Sequence, residues 1–333
     1  MGLNYLLANG VNANVGDTSG DMGSALTPID FGTSHAVSLD VGLFHGCALL
    51  ASRDVKCWGS NSFGQFGVNG NVQTTAELGS SWPAVDLGSG RTARAITVGN
   101  YHSCAIVDTG AVACWGKNDS GQLGFGDIIN RGYADLGSAL TTVNLGSGCT
   151  ATAITAGWYF TCAILDDGTV KCWGNNDSGQ LGQNTTDVLG DNSSEMANLT
   201  AINLGEGRTA KSIYASRRAD LDYTCAILDN DSLKCWSQND SGQLGVGDSD
   251  NRGDATGEIA LLPTVNLGTG QTASQVTLGE MYTCVILTST DIKCFGKSNQ
   301  GQLGDGLGYY SYGSSSSQMG DNLPIVNLVV VNQ

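Results

Sequence analysis

Ten of the eleven cysteines form five pairs with the same spacing of ten residues: Cys47 with Cys57, Cys104 with Cys114, Cys162 with Cys172, Cys225 with Cys235, and Cys284 with Cys294. Such pairs can ligate a metal or form disulfides. A zinc site wants short C-x-x-C or Cys/His clusters, and this chain has three histidines and no C-x-x-C. Midway between Cys162 and Cys172 stands Asp166-Asp167-Gly168, flanked by β-prone runs. This predicts a three-residue hairpin loop ending in a glycine of positive φ. The turn sets the two cysteines face to face, close enough at a non-hydrogen-bonded site for a disulfide. Closing a loop of about 11 residues contributes about 2.5–3 kcal/mol in the chain-entropy account, less where a formed hairpin already holds its ends together. Persistent disulfides place a protein in an oxidising compartment, extracellular or at the cell surface.

The remaining reactive side chains do not assemble into a catalytic set. His45 and His102 precede a first cysteine by two residues, where other copies have Phe160, Tyr223 and Tyr282. A general base is not so exchangeable, and this slot reads as framework. His35 has no triad partners in its vicinity, and the Gly-rich boxes precede no helix, so they make no phosphate loop. The chain is expected not to be an enzyme and to carry no resident cofactor. Calcium is the one cation with a sequence argument: Asp248, Asp250, Asp254 and Glu258 supply hard oxygens within eleven residues, interrupted by Arg252, and Asp187, Asp191 and Glu195 repeat the idea loosely. Cys149, the odd thiol, lies in a turn where sister copies have Arg91, Arg208 and Gln271, so it is expected to be exposed and either free or cross-linked to another chain.

These residues sit in a repeat. The first cysteines are 57, 58, 63 and 59 residues apart, a period of one supersecondary unit per copy. After each second cysteine comes Trp58, Trp115, Trp173, Trp236 or Phe295, and six residues later a Gly-Gln-Leu-Gly box, with Phe66 replacing leucine in the first. Two further strand-like runs precede each hairpin, as in TTVNLG and TATAITAGWYF, while helical periodicity is absent. Four short strands per copy make a propeller blade. The expected fold is all-β: a single β-propeller domain over residues 1–333, with five complete four-stranded blades and a sixth closed by N- and C-terminal strands, from about 3–9 and 322–333. Residues 22–32 copy 136–146, so the chain starts inside a repeat. Met1–Gly10 is too short and uncharged for a signal peptide, so the chain reads as a mature form or a piece of something longer.

The formal net charge is −16, and the six variable segments after the boxes (15–24, 68–81, 125–139, 183–198, 246–260 and 305–322) carry −12 of it. Equivalent loops of a propeller emerge on one face, the usual binding surface of repeat proteins. Tyr133, Tyr309, Tyr310 and Tyr312 lie in the same loops and suit protein contacts. With the acidic residues named above they form the candidate binding face; the competing reading is an acidic surface that serves solubility alone. Acidity this strong disfavours nucleic acid. No apolar run reaches membrane-spanning length. Of seven Asn-x-Ser/Thr sequons, those at Asn118, Asn176 and Asn239 fall inside the repeated motif, where a structural role comes first.

The string G-x-x-H-x-C-A-[IL] followed by C-W-G-x-N-x-x-G-Q-L-G resembles the repeat of the regulator of chromosome condensation family of β-propellers, over nearly the whole chain. The resemblance implies the propeller fold and several activities: small-GTPase exchange factors, ubiquitin-ligase modules, a plant ultraviolet-B receptor and a secreted β-lactamase inhibitor. Paired cysteines and net acidity depart from the nuclear members, and four of the six tryptophans occupy a framework slot rather than one face. The expected function is a non-enzymatic extracellular module that binds other proteins or copies of itself through an acidic loop face. The alternative is a regulator of an enzyme, either a secreted inhibitor or a guanine-nucleotide exchange factor.

Overall fold

The computed structural model describes residues 23–26, 28–68, 82–133, 136–137, 140–218, 222–306 and 308–327. Among these residues, five three-stranded sheets follow one another along the chain. They comprise β1 (Ala36–Val41), β2 (His45–Leu50) and β3 (Val55–Gly59); β4 (Ala93–Val98), β5 (His102–Val107) and β6 (Val112–Gly116); β7 (Ala151–Ala156), β8 (Phe160–Leu165) and β9 (Val170–Gly174); β10 (Ala210–Ala215), β11 (Tyr223–Leu228) and β12 (Leu233–Ser237); and β13 (Ala273–Leu278), β14 (Tyr282–Leu287) and β15 (Ile292–Gly296). Among the described residues the longest helical element is the four-residue α1 (Glu195–Asn198), and none is long and apolar enough to cross a membrane.

The hairpins form as their sequences require. Between β8 and β9 the Leu165 N–H bonds Thr169 O at 2.8 Å and the Gly168 N–H bonds Leu165 O at 2.9 Å. Gly168 has φ +79°, the left-handed residue that closes a three-residue loop with a bulge. This turn sets the register Cys162↔Cys172, and the other four hairpins repeat it. All five pairs are bonded, with Cα atoms 4.0–4.1 Å apart.

The expected fourth strand is an extended run and not a regular strand. In TTVNLG the Val143 N–H bonds Val112 O of β6 at 2.8 Å; Val85 does the same to Val55, Ile202 to Val170 and Val265 to Leu233. Beyond that bond, Asn144 turns its side-chain oxygen onto the Gly146 N–H at 3.1 Å, ending the extended path before a ladder forms. Each run thus lies beside the sheet that precedes it in the chain instead of opening the next. The C-terminal run obeys the same rule: Ile325 bridges Lys293 and the Val326 N–H bonds Ile292 O, so residues 325–326 attach to the fifth sheet. The other parts of the expected closing blade, about 3–9 and 328–333, lie outside the described residues.

The chain falls into two compact units, residues 1–154 with 190–197, and residues 155–189 with 198–333. In the first, Cys47, Leu49, Val55 and Phe66 pack with Val98, Trp82 and Trp115. In the second, Cys225, Ile227, Leu233 and Leu244 pack with Val276, Val285 and Phe295. Each core is built from one face of one sheet and the facing side of the next.

Candidate binding face

The repeated box, read upward from its atoms, is a device for hanging loops. The Asn118 side chain is fully buried; its Oδ1 accepts the Leu123 N–H at 2.9 Å, and its Nδ2 donates to Asp127 O at 2.7 Å. Asn176 and Asn239 make equivalent bonds. Their burial accounts for the motif sequons as structural asparagines. The box glutamine's carbonyl faces the next sheet: Gln65 O accepts from Ser103 Oγ and Trp115 Nε1, Gln180 O from Thr224 Oγ1 and Trp236 Nε1, and Gln243 O from Thr283 Oγ1. The histidine slot belongs to the same lock. His45 and His102 are buried, and His45 Nε2 lies 2.8 Å from Ser103 Oγ; in the fourth repeat Tyr223 donates its hydroxyl to Tyr282 O, and burial raises its pKa.

The loops after the second to fifth boxes reach back to the preceding repeat. The turn at Gly190-Asp191 lies against Gly121, where an added Cβ would stand 2.4 Å from Asp191 N, and the Gly126 N–H bonds Gly190 O at 3.0 Å. Gly253-Asp254 packs on Gly179 and Gly313-Ser314 on Gly242 in the same manner. Glu195 Oε2 accepts the N–H groups of Gly190 and Asn192 at 2.7 and 3.1 Å; Glu258 Oε2 does the same for Gly253 and Ala255 at 2.8 and 3.1 Å. The turn is thus a repeated G-D-x-x-x-E device, legible in GDNSSE and GDATGE once the contacts are known.

This changes the reading of the acidic candidates. Asp248 is held by Arg252 at 2.6 Å, and Asp254 pairs with Glu258. Burial and the neighbouring Glu258 hold the Asp254 carboxyl above its usual range. Burial also opposes charge on Glu258, but the Ala255 and Gly253 N–H groups outweigh it and hold that carboxyl low. Asp191 and Glu195 form the matching pair, with the same directions. Asp187 accepts from Thr185 Oγ1 at 2.7 Å and is exposed, as is Asp250. Among the described residues no three His, Cys, Asp or Glu side chains gather as a metal would require; of the set inferred from spacing, Asp248 is in an ion pair, Asp254 and Glu258 form a carboxyl pair, and Asp250 is exposed. Cys149, expected to be exposed, is half-buried.

Tyr309 and Tyr310 are exposed in the second unit, whereas Tyr312 is half-buried and its backbone pairs with Gly296. In the first unit Tyr133 is exposed and its hydroxyl donates to Ser62 O at 2.9 Å. Next to this contact lies a cluster that spacing arguments missed. Phe44 and Tyr101 stack at 4.8 Å, Phe63 meets Tyr101 edge-on at 5.2 Å, and Lys117 Nζ stands over the Phe63 and Tyr101 rings at 5.2 and 5.4 Å. Phe44 and Tyr101 occupy the turns before β2 and β5, and the loops start from them, since the Ser60 and Lys117 N–H groups bond their carbonyls. The available signal was an aromatic residue three positions before the first cysteine in three repeats: Phe44, Tyr101 and Tyr159. The loop following Lys117 adds exposed Ile128 and Ile129.

A family model described as the regulator of chromosome condensation (RCC1) repeat matches residues 36–65, 93–122 and 151–180, and a second model of that description matches 109–164. The chain carries RCC1 repeats. It is 30% identical over 270 residues to the ultraviolet-B receptor UVR8 of Arabidopsis thaliana, covering 80% of this chain and 54% of the receptor. It is 28% identical over 219 residues to the probable E3 ubiquitin-protein ligase HERC4 of Homo sapiens, covering 65% of this chain and 18% of the ligase. This RCC1-repeat chain thus spans about half the length of the first relative and a small part of the second. Among solved structures, yeast RCC1 (Prp20) bound to Kap60 superposes with a TM-score of 0.66 at 21% identity, over 88% of this chain and 64% of that one. Prp20p of Saccharomyces cerevisiae, reported with its binding to Gsp1p and histones, gives 0.65 at 20% identity over 88% and 66%. At these identities the likeness establishes the RCC1-type β-propeller fold.

Proposed function

We propose that this RCC1-repeat propeller is a non-enzymatic, extracellular protein-binding module whose contacts are made from the loop-bearing end of its sheets. The observation that carries the reading is the cluster of the Phe44, Phe63 and Tyr101 rings with Tyr133 bonded to Ser62 O beside it, in a loop that also exposes Ile128 and Ile129. Aromatic and aliphatic side chains of this kind, rimmed by charge, are the anchors of protein interfaces, whereas a surface kept only for solubility exposes few of them. The fold relatives supply a precedent, since the yeast propeller is seen bound to Kap60. The extracellular setting rests on the five cystines. They also favour this reading over a small-GTPase exchange factor, which works where thiols stay reduced.

The test is to cross-link the protein to its neighbours in the medium or cell-surface fraction of its source, identify the partner, and titrate it by calorimetry against wild type and the double variant Ile129→Ser/Tyr133→Ser. At least a tenfold loss of affinity is expected. An unchanged Kd removes the loop end from the account.

A further inference from the structure

The fifth repeat closes a polar site with its own loop, and the fourth builds the same site without closing it. In the fifth, the buried Lys293 of β15 donates to Leu267 O at 2.9 Å and to Gly320 O at 2.8 Å. The Gly320 N–H in turn bonds Asn266 O at 2.9 Å, and Asp321 accepts the Thr269 N–H and hydroxyl, both at 2.7 Å. Only glycine serves there, because φ is +70° and an added Cβ would stand 2.7 Å from Asn266 Nδ2. Gly137 makes the same N–H bond in the second repeat, to Asp86 O at 3.0 Å.

In the fourth repeat Asn203-Leu204-Gly205-Glu206 stand for Asn266-Leu267-Gly268-Thr269, and Lys234 of β12 for Lys293, but the covering loop has Ala260 in the place of Gly320. A residue with a Cβ is penalised on that left-handed path. The chain winds on in tight turns instead, with the Leu261 N–H on Glu258 O at 3.1 Å and the Leu262 N–H on Ile259 O at 3.3 Å. Among the described residues no backbone N–H then reaches Asn203 O. Lys234, 8% exposed, donates to none of them, and burial alone lowers its pKa. A Cβ added to Gly205 would find only Lys234 Nζ and Arg208 Cγ within 4 Å, each at 3.6 Å, whereas at Gly268 it would meet Asp321 Oδ1 at 2.8 Å. Beside them Leu261 is 84% exposed. A buried amine without an acceptor is costly, and here it adjoins an unpaired carbonyl and an open turn.

We propose that this fourth-repeat site binds an extended peptide segment of a partner protein through a glycine, whose N–H bonds Asn203 O and whose carbonyl accepts from Lys234 Nζ. Gly320 does both for Asn266 and Lys293 in the fifth repeat, so the chain itself shows the occupant. The residue after that glycine meets Glu206 where Asp321 meets Thr269, and a basic or hydroxyl side chain is therefore favoured over an acidic one. Arg208 is held by Asp229 at 3.1 Å and does not offset this preference. Leu261 supplies an apolar rim. Every residue of the site belongs to the second unit, so this inference and the proposed contact at Ile129 and Tyr133 fail independently.

Calorimetric titration of the full oxidised chain with synthetic peptides copying Ser316–Pro324, carrying Lys, Ser or Asp at the position of Asp321, tests it. The Lys and Ser peptides should bind and the Asp peptide more weakly. Replacing the peptide glycine by alanine should cost about tenfold in affinity, as should Lys234→Met in the protein. Lys234→Met should melt no lower than wild type, since it removes an unpaired buried amine, which separates loss of the site from loss of the fold. Glu206→Thr, an exposed substitution that restores the residue of the fifth repeat, should shift the preference toward the Asp peptide. Failure of all three peptides to bind at millimolar concentration overturns the inference, as does equal binding by wild type and Lys234→Met.

Discussion

The indole Nε1–H of Trp115 donates to the main-chain carbonyl of Gln65, 2.9 Å away, tying the third strand of the second sheet to the box of the first repeat. Trp236 repeats the bond to Gln180. Trp115→Phe keeps an aromatic ring but orphans a buried carbonyl in part, since Ser103 Oγ still donates to it. The expected cost is about 1–2 kcal/mol, measured by urea denaturation. The double variant Trp115→Phe/Ser103→Ala should cost more than either single change, and strict additivity would show that the shared acceptor does not couple the two donors.

Gly121 has φ +70° and lies against the back-reaching turn of the next loop, so an added Cβ would meet Asp191 N at 2.4 Å. Gly148 has φ +79° with nothing within 4 Å of that position. Gly148→Ala should therefore cost only the left-handed penalty, about 1–2 kcal/mol, while Gly121→Ala adds displacement of the loop. The two melting temperatures compare the effects directly; equal losses would mean that the loop yields freely.

The carboxyl pairs give the fold a pH dependence of known sign. Asp191 and Asp254 are raised above 3.8, so the stability they confer is present in acid and lost as pH rises through their folded values. Glu195 and Glu258 are lowered below 4.5, so theirs is present above 4.5 and lost as pH falls through their folded values. Stability should rise as pH falls from neutral toward the carboxyl range and drop again in stronger acid. Asp191→Asn/Asp254→Asn should flatten the rise, whereas Glu195→Gln should cost about 1–2 kcal/mol near neutrality by weakening bonds to two backbone N–H groups. Thermal melts across pH check both; a rise that survives in the Asn variants contradicts the assignment.

The five hairpins were legible because turn chemistry and cysteine spacing report on the same ten residues, and Asp166-Asp167-Gly168 fixes both the loop and the facing pair. The box residues were legible as a repeat but not as a mechanism. Nothing in G-Q-L-G shows that Gln65 O serves Trp115, a bond between residues 50 apart in sequence. The fourth strand was misjudged because TTVNLG has strand propensity, while the tertiary structure gives Val143 a single partner on the preceding sheet. Charge counting likewise located the acidic loops but could not show that Asp248 belongs to Arg252 and Asp254 to Glu258. Those pairings depend on loop paths set by the neighbouring repeat.

Exposure separates the five cystines. Cys162, Cys172, Cys225 and Cys235 are fully buried, whereas Cys284 is half-buried. Under native conditions a small thiol should reduce the Cys284–Cys294 bond first, as read by peptide mapping of labelled cysteines. Cys162→Ala/Cys172→Ala should lower stability by about 2–3 kcal/mol. Reduction in random order would show that opening of the whole fold, and not access, sets the rate.

The account rests on an oxidised, extracellular propeller, and intact mass after alkylation of protein from its native source addresses that most directly. Without reductant one label, at Cys149, is expected, or none where Cys149 links two chains and the mass doubles; after reduction in denaturant all eleven cysteines should label. Ten or eleven labels without reductant would contradict the account and place the protein in a reducing compartment.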